Sequence, residues 1–192
     1  MPCDYDVTVV IPSIPPRSHL LARAIMSVGA QTHPAAAISV AIDNNHEGSG
    51  PTRTRAMRAV KTEWLAFLDD DDQFLEQHLE TLVKHQQDTG ADVVWPWFRV
   101  LSGQDPFPMH QGRQWNPEDP HIFPISALVR TEVALQAEFP PHVENGWGGD
   151  DFAFWTTLSA QGAKFSHVNE VTWLWDHAPA GHHNTSGLAS RW

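Results

Sequence analysis

The sequence has 192 residues, of which 41% are hydrophobic, so it is long enough for one domain with a sizeable core. Its formal charge of −11, from 12 basic and 23 acidic residues, argues against a dominant surface for nucleic acid or anionic membrane. A single cysteine, Cys3, excludes an internal disulfide, no apolar run approaches the roughly 18 residues of a membrane span, and without a recognisable signal peptide we expect a cytoplasmic protein.

Strands and helices alternate in the first part of the chain. Apolar runs of strand length lie at Val7–Ile11, Ile38–Ile42 and Trp64–Leu68, and helical periodicity follows the first two at Ser18–Gln31 and Thr52–Lys61. The third run is continuously apolar, which is typical of a strand buried on both faces, and we expect the first run to be a buried strand as well. The alternation predicts an α/β fold with a doubly wound, mostly parallel sheet.

The rest of the chain is predicted to form helix Phe74–Asp88, strands Ala91–Val100 and Ile122–Val129, helices Thr131–Ala137 and Phe152–Gln161, and strands Phe165–Val168 and Val171–Trp175. Pro96 places its strand at a sheet edge or at a bulge. The segment 102–120 contains four prolines and two glycines and has no periodicity. A loop of that length in a compact domain is usually functional, so we expect a mobile lid or an acceptor loop.

Polar residues follow each of the first three strands, beginning with Ser13, Asp43 and Asp69. The carboxyl ends of parallel strands lie at one edge of a sheet, and open α/β sheets bind ligands there. The repetition in three successive strands therefore predicts a binding site at this edge.

The third strand ends in four consecutive aspartates, Asp69 to Asp72. Two like charges about 4 Å apart repel by roughly 1 kcal/mol in water and by more inside a protein. A divalent cation turns this repulsion into attraction. The alternative is that the acids open the next helix, where each gains about 0.3–1 kcal/mol from the helix dipole. That explains Asp71 and Asp72 better than Asp69 and Asp70, so the pattern favours a metal or ligand site.

A second acidic pair, Asp150 and Asp151, follows Trp147 and two glycines. Acids are favoured in the first turn of a helix, which would account for the pair without a function. The functional alternative is that a carboxylate near an apolar ring acquires a raised pKa, which suits a general base.

Histidines and arginines complete the set of candidate residues. His177 and His182–His183 are either a polar chain end or ligands of a metal or a phosphate. Arg53, Arg55 and Arg58 do not share one helix face, and Arg55 or Arg53 would be useful near a phosphate-bearing ligand.

Taken in order, these motifs resemble glycosyltransferase family 2, the nucleotide-sugar-dependent enzymes of the GT-A fold. The resembling segments are Val7–Ser13, Arg23–Thr32, Asp43, Arg53–Arg58, Trp64–Asp72 and Asp150–Asp151. The resemblance implies a mostly parallel, Rossmann-like central sheet flanked by helices, in a minimal single domain over residues 1–192. Residues 1–101 would form the donor-binding half, and residues 102–192 the half with the acceptor site and the catalytic base.

The resemblance also implies a role for each matching residue. The donor nucleotide would be bound by Pro12, Ser13, Asp43, Arg55, Asp69 and Asp70, with Asp43 on the base, which is most often uracil in this family. Mn²⁺ or Mg²⁺ would be held by Asp71, Asp69, His177 and His183. Asp151 would be the catalytic base, with Asp150 beside it, and Trp147 and Gly149 would contact the acceptor or the sugar.

The implied reaction is a metal-dependent, inverting transfer from a nucleotide-diphosphate sugar, with a UDP-sugar favoured. Two departures from the family pattern leave details open. The usual Glu-Asp pair is Asp150–Asp151, so either carboxylate can be the base, and Asp43–His46 replaces Asp-Asp-Gly-Ser, which leaves the base specificity open. The acceptor is a glycan, a glycolipid, a protein or a modified nucleic acid. In so short a chain we expect an acceptor site that is open, that is completed by a second subunit in a homo-oligomer, or that is suited to a large acceptor.

Two other functions fit parts of the pattern. A nucleotidyltransferase of nucleotide-sugar synthesis usually has a glycine-rich phosphate loop after its first strand, and Ser13–Arg17 has no glycine. A non-catalytic module could use some of the nine tryptophans to bind carbohydrates or nucleotides.

Overall fold

A sheet with helices on both faces forms the centre of the protein. The computed structural model describes residues 5–101, 103–116, 125–141 and 150–176. The strands are β1 (Val7–Ser13), β2 (Ala37–Ile42), β3 (Trp64–Phe67), β4 (Gln73–Phe74), β5 (Val93–Val100), β6 (Leu128–Arg130) and β7 (Phe165–Trp175). The helices are α1 (Ser18–Gly29), α2 (Ser49–Met57), α3 (His78–Thr89), α4 (Thr131–Ala134) and α5 (Asp150–Ala160), with 3₁₀ turns at Pro15–Arg17 and Pro108–His110.

Five of the seven strands in the described segments run in the same direction. The sheet order is β2-β1-β3-β6-β5-β7-β4. Strand β1 is parallel to β2 and β3, β5 is parallel to β7, and β6 is antiparallel to both β3 and β5. The predicted α/β fold with a mostly parallel sheet is confirmed. The carboxyl ends of β1, β2, β3, β5 and β7 therefore meet at one edge, which we call the site edge.

Apolar side chains cover both faces of the sheet. On one face, Trp64, Ala66 and Leu68 pack into a core with residues of α1 and α3. On the other face, Leu65 and Phe67 pack into a second core with residues of α2 and α5. The continuously apolar third strand is thus buried on both sides, as predicted. None of the helices in the described residues is long and apolar enough to cross a membrane.

The sheet differs from the prediction around β4 and β7. The predicted helix from Phe74 begins only at His78, because Phe74 pairs with Trp173 of β7. The two short strands predicted between residues 165 and 175 form the single strand β7, whose pairing with β5 is irregular around Pro96. Pro96 therefore lies at a bulge, one of its two predicted positions. These long-range pairings override the local periodicity from which the helix and the two strands were predicted.

The described part of the predicted lid, residues 103–116, is attached to the sheet. Trp97 Nε1 donates a hydrogen bond to Asp105 at 2.8 Å, and the backbone N–H of Gly112 donates to His167 Nε2 at 3.0 Å. Trp115 stacks on Phe165 with 5.8 Å between the ring centroids. These contacts show that residues 103–116 pack against β5 and β7, and they argue against a mobile lid at these residues.

Candidate functional site

The acid motif, Asp69–Asp72, follows β3 at the site edge, and its carboxylates have different surroundings. Asp70 is fully buried, and it accepts hydrogen bonds from Ser13 Oγ at 2.7 Å and from Arg17 Nη1 at 3.1 Å. The same nitrogen donates to Asp71 Oδ2 at 2.9 Å. Burial would lower the pKa of Arg17, but the charges of Asp71 and Asp70 outweigh it and raise that pKa. Arg17 is thus the internal counter-ion of two aspartates.

Asp69 and Asp71 are the members of the acid motif that reach solvent, with 29% and 15% of their side chains exposed. Burial raises the pKa of Asp71 to about 7; Arg17 opposes the rise, and the charges of Asp69 and Asp70 add to it. Crowded carboxylate oxygens of this kind fit a hard cation such as Mn²⁺ or Mg²⁺. In the described segments no group of three or more metal-ligating side chains occurs. Further ligands would therefore come from outside the described segments of the chain, from a bound phosphate group or from water, as is common for Mg²⁺.

Asp72 binds the last described residue rather than opening a helix. Its Oδ1 accepts the backbone N–H of Asp176, which follows β7, at 2.8 Å. Arg23 Nη2 donates to the backbone carbonyl of Asp71 at 2.6 Å and lies 3.4 Å from Asp176 Oδ2. Burial and the charge of Asp71 raise the pKa of Asp72 well above its ordinary value. These contacts tie the end of β7 to the acid motif.

The acid pair, Asp150 and Asp151, forms the first turn of α5. Asp150 is buried, and its Oδ2 accepts hydrogen bonds from Ser49 Oγ and Arg53 Nη1, both at 2.9 Å. Asp151 is partly exposed and accepts the backbone N–H of Phe152 at 2.8 Å. Burial raises the pKa of Asp151 to about 6; the charge of Asp150 adds to the rise, and Arg53 opposes it. Such a carboxylate is ionised at neutral pH and can accept a proton.

Arg53 joins the acid motif to the acid pair. Besides its bond to Asp150, it donates from Nη2 to Asp69 Oδ1 at 2.7 Å. Its side chain is 4% exposed, and the guanidinium lies over the ring of Phe139, 5.0 Å from the centroid. Burial would lower the pKa of Arg53, but the charges of Asp69 and Asp150 outweigh it and raise that pKa. One cation thus holds carboxylates from two distant parts of the chain.

Asp43 organises the loop that follows β2. Its carboxylate accepts the backbone N–H groups of Asn45, Glu47 and Gly48 at 2.8–3.1 Å. Burial opposes ionisation, but these donors outweigh it and hold the pKa of Asp43 below its ordinary value. Arg55 donates to Glu47 at 2.6 Å, so it lies beside the same loop. The contact of Asp43 with a base stays a prediction, since much of its hydrogen-bonding capacity is used by its own loop.

The structure brings some of the predicted site residues together and does not describe others. Asp69, Asp71 and the acid pair share the site edge, while Pro12 and Ser13 are buried in β1. The remaining four predicted residues lie outside the described residues: Trp147, Gly149, His177 and His183.

No role for Arg17, Ser49 or Arg23 is predicted from the sequence. The pattern offers Arg55 or Arg53 near a phosphate-bearing ligand, and the resemblance favours Arg55 among the donor-binding residues. A signal for Arg17 was present, because it is a basic residue in the loop after β1, facing a motif of four acids that needs neutralising charge. Nothing in the local pattern distinguishes Arg53 from its neighbours, since its partners Asp69 and Asp150 are remote in sequence.

Helix α2 approaches the acid pair closely at a glycine. The helix begins at Ser49, earlier than the predicted Thr52, so Ser49 and Arg53 lie one turn apart and both reach Asp150. A Cβ on Gly50 would lie 2.0 Å from the carbonyl oxygen of Pro140 and 3.1 Å from Asp150 Oδ2. The backbone at Pro140 cannot rotate out of the way as a side chain would, so this position requires glycine.

Gly50→Ala is therefore expected to lower the free energy of unfolding by about 1–3 kcal/mol, as overpacking of a filled site does. Urea unfolding monitored by circular dichroism measures the change. The matched control is Gly29→Ala in α1, where an added Cβ meets nothing within 4 Å. The control should be neutral or slightly stabilising, since alanine favours helix more than glycine does. Equal effects at the two positions would contradict the close approach at Gly50.

A family model described as glycosyl transferase family 2 matches residues 37–131, about half of the chain. The matched region contains β2, α2, β3 and the whole acid motif. No curated protein matches the sequence.

Solved structures share the fold at low sequence identity. TarS 1-349 of S. aureus in complex with UDP-GlcNAc has 14% identity and a TM-score of 0.76, covering 92% of this chain and 60% of that chain. The same protein in complex with UDP gives a TM-score of 0.73 at 13% identity, covering 88% of this chain and 60% of that chain. The mannosyltransferase PcManGT from Pyrobaculum calidifontis, in complex with GDP-Man and Mn²⁺, has 17% identity and a TM-score of 0.69, covering 91% and 58%. This chain thus spans about 60% of the TarS 1-349 chain. At these identities the likeness concerns the fold alone.

Proposed function

Because the chain belongs to glycosyl transferase family 2 and has the GT-A fold, we propose that it transfers a sugar from a nucleotide-diphosphate sugar to an acceptor hydroxyl. The observation that carries this proposal is the contact of Arg53 with both Asp69 and Asp150, which brings the acid motif and the acid pair to one site. In this proposal residues 1–101 bind the donor, and residues 102–192 supply the base and the acceptor side.

Asp151 is the base in the proposed reaction. Asp150 is buried and held by Arg53 and Ser49, whereas Asp151 is partly exposed and has a pKa of about 6. The proton of the acceptor hydroxyl moves to the Asp151 carboxylate while the acceptor oxygen forms a bond to the anomeric carbon. The bond from that carbon to the diphosphate breaks, and its electron pair leaves with the phosphate oxygen. A single displacement of this kind inverts the configuration at the anomeric carbon.

Asp71 and Asp69 would hold the divalent cation, because they are the members of the acid motif that reach solvent. When bound, Mn²⁺ or Mg²⁺ offsets the charge that develops on the leaving diphosphate. PcManGT was solved with GDP-Man and Mn²⁺, which supports a divalent ion here. His177 and His183 stay candidates for further ligands and lie outside the described residues.

The donor nucleotide would lie against the loop that Asp43 organises, with Arg55 beside it. We favour a UDP-sugar, and the complex of TarS with UDP-GlcNAc supports this choice, whereas PcManGT was solved with GDP-Man. Asp70 acts on the donor indirectly, through the positions of Ser13 and Arg17, because its own carboxylate is fully buried.

Nucleotide binding is expected to raise the melting temperature in a metal-dependent manner. At a hundredfold excess over Kd, a ligand of the native state adds about 2.7 kcal/mol, which is about 5–10 °C for a domain of this size. A thermal-shift series with UDP, GDP and their sugars, each with and without Mn²⁺ or Mg²⁺, measures it. Asp71→Asn should remove most of the metal-dependent part. If none of these nucleotides raises the melting temperature, the transferase proposal is wrong.

Product analysis separates the remaining alternatives. Transfer of label from a nucleotide-diphosphate sugar to a hydroxyl acceptor is the expected result. Turnover of a nucleoside triphosphate with a sugar phosphate would indicate a nucleotidyltransferase instead. Nucleotide binding without any turnover or donor hydrolysis would indicate a binding module.

A further inference from the structure

One guanidinium connects the two functional parts of the candidate site. Arg53 donates to Asp69 at 2.7 Å and to Asp150 at 2.9 Å, through two different nitrogens of the same planar group. The two carboxylates come from the end of β3 and the start of α5, and α2 supplies the cation between them. The fork of an arginine fixes the relative positions of two carboxylates more tightly than a single point charge can.

Packing holds this arginine in place. Its side chain is 4% exposed, and its guanidinium lies over Phe139, whose ring stacks on Phe154 of α5 with 3.9 Å between the centroids. Ser49, one turn earlier in α2, donates to the same oxygen of Asp150. Because little water reaches this region, the interactions of Arg53 with its two carboxylates are stronger than those of an exposed pair.

The other arginines near α2 have local, exposed partners. Arg55 pairs with Glu47, and Arg58 pairs with Glu138. Among these three arginines only Arg53 contacts both the acid motif and the acid pair. A change at Asp69 can therefore affect Asp150 through Arg53, and a change at Asp150 can affect Asp69 in the same way.

The charge balance makes the two contacts depend on each other. Asp69 and Asp150 share one positive charge, and Asp151 lies next to Asp150 in sequence. When a ligand binds the Asp69 carboxylate, the ion pair between Asp69 and Arg53 weakens. The guanidinium then interacts more strongly with Asp150. By linkage, if ligand binding at Asp69 strengthens the contact between Arg53 and Asp150, then that contact strengthens ligand binding by the same factor.

We propose that Arg53 is a positioning residue that couples occupancy of the donor site at Asp69 to the placement of the acid pair. The proposal rests on the proposed function for the roles of Asp69 and the acid pair. Its consequence is that the acid pair is held in place most firmly when the donor is bound, so that acceptor activation depends on donor binding.

A cycle of variants tests the coupling through binding alone. The probe is UDP, or whichever nucleoside diphosphate gives the largest thermal shift, and calorimetry measures its Kd. We expect Asp150→Asn to change the Kd about fivefold or more, in the range typical of coupled sites. In chains that carry Arg53→Met, the added Asp150→Asn change should alter the Kd by less than about twofold, because the connection is gone. An equal effect of Asp150→Asn with and without Arg53 would overturn the proposal.

Further variants separate coupling from a structural role. Arg53→Lys keeps the charge but lacks the two nitrogens of a rigid group, so it can hold Asp69 or Asp150 but not both. It should recover stability relative to Arg53→Met while leaving the coupling below about twofold. A coupling as large with lysine as with arginine would contradict the proposed role of the guanidinium. Arg53→Lys also replaces Arg53→Met if that chain fails to fold. Arg58→Met is the matched control and should leave the Kd within about twofold, since its ion pair with Glu138 is exposed.

If no nucleotide binds, the proposed function fails and the contact can still be tested. Asp69→Asn and Asp150→Asn are then made singly and together, and the unfolding equilibrium constant of each variant is measured. The constant of the double variant should differ about fivefold from the value expected if the two changes acted independently. Additive shifts would overturn the coupling as well.

Discussion

Asp151→Asn is expected to lower kcat for sugar transfer by about 10²–10⁴-fold, which is the usual contribution of a positioned general base. The asparagine keeps the shape of the side chain and can still accept the backbone N–H of Phe152, so α5 should begin as it does now. Donor affinity should stay within about threefold, because Asp151 acts on the acceptor. The measurement is steady-state transfer to the acceptor, together with calorimetry of the donor nucleotide.

The same substitution should make the protein more stable at neutral pH. Burial and Asp150 raise the pKa of Asp151 from 3.8 to about 6, so the ionised carboxylate destabilises the folded state. This destabilisation is absent below about pH 4, grows as the pH rises to about 6, and is fully present above it. We expect Asp151→Asn to raise the free energy of unfolding by about 3 kcal/mol at pH 7.5 and by less than about 1 kcal/mol at pH 4.

The pH dependence of the reaction follows from the same group. The wild-type value of kcat/KM for the acceptor should rise with pH up to about 6 and then level off, because the base must be ionised. Asp150→Asn is the comparison variant for the choice between the two carboxylates. If Asp150→Asn abolished transfer and Asp151→Asn left it unchanged, the roles given to the acid pair would be reversed.

Arg17→Met is expected to destabilise the protein by about 3–5 kcal/mol at neutral pH, since it leaves buried carboxylates without their counter-ion. Arg17 donates to both Asp70 and Asp71, and Asp70 is fully buried. Without the cation the pKa of Asp70, which burial already raises despite Ser13 and Arg17, should rise further. The loss should therefore be largest at neutral pH and shrink as the pH falls and the carboxylates are protonated. Urea unfolding at several pH values measures it.

Two companion variants identify the cause of that loss. Arg58→Met removes an arginine from an exposed ion pair and should change stability by less than about 1 kcal/mol. Adding Asp70→Asn to Arg17→Met should recover part of the stability, because it removes one stranded charge. A loss no greater than that of Arg58→Met, or no recovery in the double variant, would show that Arg17 is not the counter-ion of the acid motif.

The fold, and the meeting of polar strand ends at one edge of the sheet, could be predicted because local patterns carry that information. The continuously apolar run before Asp69 indicates a strand buried on both faces, and the polar residues that follow β1 and β3 predict a site at the edge where open α/β sheets bind ligands. The family and the GT-A fold expected from these motifs are confirmed by the family model and the solved structures.

The internal charge network could not be predicted, because its partners are far apart in sequence. Arg17 donates hydrogen bonds to Asp70 and Asp71, and Arg53 donates to Asp69 and Asp150. No local sequence pattern identifies the partners of either arginine. The limits of β4 and β7 were missed for the same reason, since the pairing of Phe74 with Trp173 is a tertiary contact. The roles of individual site residues stay predictions that the variants above can test.

The position of β7 in the sheet has a consequence for synthesis of the protein. Strand β7 is the last described strand to leave the ribosome, yet it lies between β5 and β4 and is the only described partner of β4. The backbone of Asp176 then completes the hydrogen bonding of Asp72, a residue 104 positions earlier. A nascent chain that ends before Phe165 therefore exposes one edge of β5 and lacks a contact of the acid motif. Assembly of the proposed donor site therefore waits until β7 has been made, even though most of the residues of that site are made early.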